Sequence, residues 1–144
     1  MPRFKYAKYI RREPIGTFSG LHPQLTGIEN FRVNGKQWGV GCRMGTTAVD
    51  KPFLMEKQAH THPCDEFLCF FGGDAMKVRD FGAEIELYLG EELEKHVITC
   101  ATVVYVPKDL PHCPLNFKVI EQPIVFMAII LGNKYIKRPL TKKL

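Results

Sequence analysis

His60 and His62 stand two apart in Gln58-Ala59-His60-Thr61-His62-Pro63, and Glu66 follows after a short stretch containing Pro63 and Asp65, which can turn the chain. On a strand, residues two apart point to the same face, so both imidazoles would face one way. His112 lies much further along, in Pro107-Lys108-Asp109-Leu110-Pro111-His112. A rolled sheet can bring such distant groups together. Imidazole and carboxylate suit iron, manganese, nickel, zinc or copper, whereas calcium and magnesium would call for more oxygen ligands. With four protein ligands an octahedral ion keeps two positions for water, dioxygen or a chelating substrate, and can act there as Lewis acid or redox centre. A closed tetrahedral zinc site without chemistry is the quieter alternative.

The elements that must hold these residues read as β. Apolar runs are cut by Gly, Pro, Asn and Asp along most of the chain. Trp38, Val40, Cys42 and Met44 alternate with Gln37, Gly39, Gly41 and Arg43, which predicts a strand from residue 37. Strands are also expected at 66–71, ending at Gly72-Gly73, at 83–89, at 97–98 and at 102–106, which stops at Pro107. The run 123–131 is nearly all apolar, the composition of a strand covered on both faces. Residues 90–95 are too short and too close to Gly90 for a stable helix and fit a hairpin connection. Residues 1–36 are broken by Gly16, Gly20, Pro23, Gly27, Asn30, Asn34 and Gly35, which suits an irregular arm with short strands. Many short strands with such turns predict an all-β sandwich or closed barrel.

At this point the residues resemble a known family. His60-x-His62-x3-Glu66-x6-Gly73 is similar to the first cupin motif, Gly-x5-His-x-His-x3–4-Glu-x6-Gly. Pro107-x-Asp109-x2-His112-x3-Asn116 resembles the second, Gly-x5-Pro-x-Gly-x2-His-x3-Asn. Leu54, Ala101 and Asp109 stand where the motifs carry turn glycines, and of common residues Asp tolerates a left-handed turn well. The resemblance implies a single cupin jelly-roll barrel, or double-stranded β-helix. It would comprise an N-terminal arm at 1–36, the barrel at 37–133 and a basic tail at 134–144. It further implies one divalent transition metal on His60, His62, Glu66 and His112, and a homodimer paired through outer sheets.

Composition bounds the rest. The 144 residues suit one domain, and 45% apolar with 24% charged is ordinary for a soluble globular chain. No apolar run is long enough to span a bilayer, and the first residues lack the apolar core of a signal peptide, so the cytoplasm is expected. Cys42, Cys64, Cys69, Cys100 and Cys113 are odd in number and irregular in spacing, which fits reduced thiols. The net charge of +5 sits at the ends: residues 1–12 and 134–144 each carry five basic residues and no acid, leaving −5 for residues 13–133. Two solvated ends explain this, and no nucleic-acid module accompanies them.

Several residues carry a quieter reading beside the sharp one. His22 and His96 are expected on the surface and not at the metal. Cys64 and Cys113 neighbour ligands, yet a free cysteine usually behaves as a small hydrophobe. Glu84, Glu86, Tyr88 and Tyr105 could line the interior, with solvent the favoured side. Arg43 could grip a carboxylate substrate, though a surface arginine is commoner. Asn116 is expected as a turn or strand-end residue. Phe67, Phe70, Phe71, Phe117 and Phe126 are expected to build the core and dry walls around the metal.

Three functions fit. The first is a mononuclear metalloenzyme acting on a small, oxygen-bearing molecule, by oxygen-dependent chemistry or by Lewis-acid isomerase, decarboxylase or lyase chemistry. No catalytic acid or base is named by the sequence. The second is a non-catalytic module that binds a small ligand, and the third is an assembly protein. Burying four convergent polar groups costs free energy, which weighs against a purely structural role.

Overall fold

The computed structural model describes residues 4–20, 22–132 and 136–140. Twelve strands run in chain order: β1 (Ile15–Thr17), β2 (Glu29–Asn34), β3 (Arg43–Val49), β4 (Phe53–Glu56), β5 (His60–Thr61) and β6 (Asp65–Gly72), followed by β7 (Ala83–Leu89), β8 (Glu94–Ile98), β9 (Thr102–Val106), β10 (His112–Ile120), β11 (Ile124–Leu131) and β12 (Arg138–Pro139). They form two sheets, all of whose strand pairs are antiparallel. The first has the order β1-β2-β3-β11-β6-β9, and the second β12-β5-β10-β7-β8, with β4 also paired to β10. Consecutive strands repeatedly switch sheets, which is the jelly-roll way of making a sandwich.

Alternation decides which residues meet between the sheets. Along β6, Glu66, Leu68 and Phe70 are buried while the residues between them are half-buried. Ile124, Phe126 and Ile130 do the same along β11, and Ile85 and Leu87 along β7. The aromatic centre joins the two sheets. Phe70 stacks on Phe126 at 5.1 Å between ring centroids, and Phe117 from the opposite sheet meets Phe126 at 5.9 Å and Phe53 at 5.3 Å. Such ring pairs add about 0.5–1.5 kcal/mol each to the area they bury. Gly73 has no room for a side chain, because a Cβ there would sit 2.5 Å from the carbonyl oxygen of Pro123.

Some expectations need correcting. The strand predicted from residue 37 begins at Arg43. The Asn34 side chain accepts the Lys36 N–H and starts a short 3-10 turn at Gly35–Trp38, which Gly39 closes at a φ of 71°. Trp38 therefore leaves the strand face, and its Nε1 donates to the Lys8 carbonyl at 2.7 Å. The apolar run of β11 is buried on one face only: Val125, Met127 and Ile129 are half-buried and Leu131 is exposed on the other. Phe67 and Phe71 lie on that same outer face, so the core is built by Phe70, Phe117 and Phe126 without them. The hairpin expected at 90–95 joins β7 to β8, with Leu89 opposite Glu94. Of the basic ends, Arg3, Lys134, Lys142 and Lys143 lie outside the described residues. Among the described residues no helix is long and apolar enough to cross a membrane.

Candidate metal centre

The three histidines converge between the sheets. His60 on β5 lies directly opposite His112, the first residue of β10, so both rings share one face. Their centroids are 4.5 Å apart, and His62, just past β5, brings its ring to 4.7 Å from His60 and 4.9 Å from His112. Glu66 comes from β6 in the other sheet. Its Oε2 lies 3.5 Å from His62 Nε2 and 3.3 Å from His112 Nε2. All four residues are at most 5% exposed.

Hydrogen bonds fix the ring tautomers. Nδ1 of His60 faces the Gln58 carbonyl at 2.9 Å, Nδ1 of His62 the Ile136 carbonyl at 2.8 Å, and Nδ1 of His112 the Leu110 carbonyl at 3.0 Å. A carbonyl only accepts, so each Nδ1 carries the proton and, in the neutral ring, each Nε2 is unprotonated. Yet His60 Nε2 and His62 Nε2 approach to 3.1 Å, and neither can donate to the other in that state. Glu66 Oε2 is buried with no hydrogen-bond partner. Burial pushes the His60 imidazolium down to about 4, with His112 and His62 adding to the drop against the pull of the Gln58 carbonyl, so the ring is neutral near pH 7.

Acceptors facing acceptors at these distances repel unless a cation stands among them. Separations of 3.1–3.5 Å are also what neighbouring ligands of one ion show when each lies about 2.0–2.2 Å from it. His60, His62 and His112 form a buried group that could hold a metal ion. The carbonyl behind each ring is the second layer that orients metal-binding imidazoles.

The group opens on a cavity of about 560 Å³ between the sheets. His22, expected on the surface, instead reaches the cavity wall and packs on Phe53 at 5.5 Å, apart from the converging histidines. His96 stays on the outside, bonded to Glu94 at 2.8 Å. Arg43 is exposed, as preferred for it, and stands at the rim of the cavity. Cys113 lines it too, but burial pushes its thiol far above the ordinary value, so it is not a thiolate. The Cys64 thiol is likewise raised, by burial first and then by Glu66 and Asp65. Ile85 and Leu87 point into the core, which puts Glu84, Glu86 and Tyr88 on the outer side of β7. There Glu86 pairs with Lys95 and Lys118, each at 3.1 Å. Tyr105 is outside as well, donating to Asp65 at 3.0 Å. Asn116 lies within β10 opposite Leu54 and Glu86, a mid-strand place and not a turn.

Sequence reasoning missed Asn30, Thr47, Glu56 and Lys137, all of which line the cavity. Asn30 is the one buried residue of β2, on which Arg32 and Asn34 are exposed, so no clean alternation marks it. Lys137 donates to Glu56 Oε2 across 81 residues of chain, a pairing that no local pattern announces.

No family model matches the chain, and no curated protein matches it in sequence. Solved structures do. An iron(II) structure of HppE is 15% identical with a TM-score of 0.52, covering 81% of this chain and 55% of its own. An oxalate oxidase is 12% identical with a TM-score of 0.54, covering 85% of this chain and 59% of its own. The Bacillus subtilis oxalate decarboxylase, described for its Mn(II) centres, is 12% identical with a TM-score of 0.52, covering 78% of this chain and 28% of its own. The chain thus spans little more than half the length of the first two and under a third of the last. At such identities the likeness speaks for architecture alone. Two antiparallel sheets in jelly-roll order, matched over most of the chain by these structures, give the protein the cupin fold.

Proposed function

We propose that the protein binds one divalent transition metal through His60, His62, His112 and Glu66, and uses it on a small-molecule substrate in the adjoining cavity. One observation carries this reading: three Nε2 lone pairs and a partnerless carboxylate oxygen face one another inside the protein, with every Nδ1 already committed to a carbonyl. The bound ion would supply Lewis-acid or redox chemistry to a coordinated substrate. The chain's own residues aim the imidazoles through the carbonyls behind them, and place the buried Leu68, Phe126 and Ile130 along the cavity wall. Iron and oxygen-dependent chemistry is the first reading of the reaction, and isomerase, decarboxylase or lyase chemistry on manganese, zinc, nickel or copper the second. A binding module without turnover is the alternative.

The test is to purify the protein anaerobically without added metal and quantify bound ions beside a His60→Ala/His62→Ala control. Near-stoichiometric iron, lost in the control, supports the first reading, and oxygen uptake with candidate substrates then follows. Stoichiometric zinc, manganese, nickel or copper moves the reaction to the second. Failure to hold any of these ions after reconstitution overturns the proposal.

We further infer a homodimer paired through the outer face of the first sheet. Two cross-sheet rows support it, Met127–Cys69–Val103 and Ile129–Phe67–Tyr105, and Val103 is 63% exposed. A contiguous apolar stripe of this kind marks an interaction surface. Light scattering should give twice the chain mass, falling to one with Val103→Arg; a monomeric wild type overturns the pairing.

A further inference from the structure

The segment ahead of β1 carries side chains that neither the core nor the metal group uses. Phe4 is 80% exposed, and Tyr6, Tyr9 and Ile10 are each more than half exposed. Lys5, Lys8, Arg11 and Arg12 are interleaved with them and exposed as well, with no acid before Glu13. Among the described residues, no carboxylate pairs with any of these four cations.

A merely solvated tail would have no fixed shape, but this segment has one. The Ala7 N–H donates to the Phe4 carbonyl at 3.2 Å, the Tyr9 N–H to that of Tyr6 at 3.0 Å, and the Ile10 N–H to that of Ala7 at 3.1 Å. The Trp38 indole Nε1 donates to the Lys8 carbonyl at 2.7 Å, which pins these turns to the 3-10 turn at Gly35–Trp38. Trp38 is itself exposed, and so is Val40 two residues on. Ordering several large apolar side chains in water gains nothing unless something covers them, and such a patch marks an interaction surface.

Charge selects the cover. Cations run through the patch, while residues 13–133 sum to −5, so an anionic surface attracts the arm and repels the rest of the chain. Between nucleic acid and lipid, the side chains favour lipid. A nucleic acid would use open ring faces as stacking platforms. Here the Lys5 ammonium lies over the Tyr6 ring at 5.3 Å and that of Lys8 over the Tyr9 ring at 5.1 Å. Ile10 and Val40 offer no ring at all. A bilayer interface takes apolar side chains at the acyl boundary, Tyr and Trp at headgroup level, and Lys and Arg against the phosphates.

We infer that this arm is a docking surface for an anionic lipid bilayer: Phe4, Tyr6, Tyr9, Ile10 and Trp38 enter the interface, and Lys5, Lys8, Arg11 and Arg12 meet the lipid phosphates. The attachment is interfacial and reversible, because only a few side chains take part and no helix among the described residues can span. It is independent of the metal reading.

The test mixes the full chain with vesicles of phosphatidylcholine alone, or of phosphatidylcholine and phosphatidylglycerol in equal parts. Flotation reads the bound fraction, and Trp38, the single tryptophan, reports on the patch through its emission. The anionic vesicles should bind the chain and shift that emission to the blue, more weakly at high salt. Neutral vesicles should bind at least tenfold less. Lys5→Gln/Lys8→Gln should weaken binding about tenfold or more, since each cation near an anionic surface contributes about fivefold. Phe4→Ser/Ile10→Ser should weaken it by a similar factor and reduce the blue shift. Both pairs should unfold near the wild-type temperature, because the replaced side chains are exposed. Failure to bind the anionic vesicles overturns the inference. So does binding indifferent to Phe4→Ser/Ile10→Ser, which would reduce the contact to charge attraction. Tighter binding to single-stranded oligothymidylate than to anionic vesicles overturns it in favour of nucleic acid. A blue shift that grows with protein concentration alone assigns the patch to a second copy and overturns it too.

Discussion

The backbone N–H of Asp109 donates to the carbonyl oxygen of His62 over 3.0 Å, so the loop that delivers His112 is fastened to the backbone of another candidate ligand. Asp109 adopts a φ of 65°, the left-handed region in which most side chains are strained. The neighbouring Lys108 N–H is held by Asp65 at 2.8 Å, next to Glu66. Two bonds therefore fix the loop against the strand carrying the carboxylate and the segment carrying the imidazoles. Asp109→Gly should keep metal content and stability close to wild type, since glycine takes this conformation freely. Asp109→Val should cost about 1–2 kcal/mol, read from urea unfolding.

Glu66 gives a change of sign. Without metal, its Oε2 is a buried acceptor among acceptors, so Glu66→Gln supplies an N–H to a histidine lone pair and should stabilise the chain by about 1 kcal/mol. With metal, the same amide is the poorer ligand, and affinity should fall by about tenfold or more. Thermal unfolding with and without chelator, beside a metal competition assay, measures both halves. A purely structural glutamate would show loss in both conditions.

How much of this was legible beforehand differs from residue to residue. The histidine pair was, because a two-residue spacing on a strand has one geometric meaning. Asp109 was too, because few residues other than glycine suit a left-handed turn. Leu54 and Ala101, also standing where the motifs have glycine, do not adopt positive φ, so those losses require no compensation. The inner wall of β2 was not legible. Apolar-in, polar-out is the rule for a packed sandwich, but here the interior is hollow, and Asn30 and Arg32 face it while Phe31 is 43% exposed. The strand expected from residue 37 failed for a related reason: alternation was present, but Asn34 and Gly39 imposed a turn that outweighs it. Carbonyl acceptors such as that of Ile136 leave no trace in a sequence at all.

Phe117 ties the aromatic centre together from the second sheet and is fully buried. Phe117→Ala should cost about 3–5 kcal/mol in urea unfolding, the range for emptying a closed aromatic site. A loss below 1 kcal/mol would mean that the sheets collapse to fill the gap.

Glu86 offers a pH test away from the metal. Hydrogen bonds from Lys95 and then Lys118 hold its carboxyl below the ordinary glutamate value of 4.5. A depressed folded value means the pairing stabilises the protein above about pH 4.5 and is lost as pH falls through the folded value. Glu86→Gln should therefore unfold at a lower temperature than wild type at pH 7, and the gap should close as the pH falls below the ordinary carboxylate range. A gap that persists at low pH would assign the loss to packing instead of charge.

The acceptor for His62 Nδ1 belongs to Ile136, 74 residues downstream and beyond the last strand of the sandwich core. Close by, Pro139 lies opposite His60, and the Leu140 N–H donates to the Ala59 carbonyl at 3.1 Å. During synthesis, then, a chain that has emerged as far as β11 already contains every candidate ligand, but not the group that tells His62 which nitrogen to present. Assembly of this corner is therefore ordered in time: the sheets can form first, and His62 Nδ1 gains its carbonyl acceptor only once the C-terminal segment has docked.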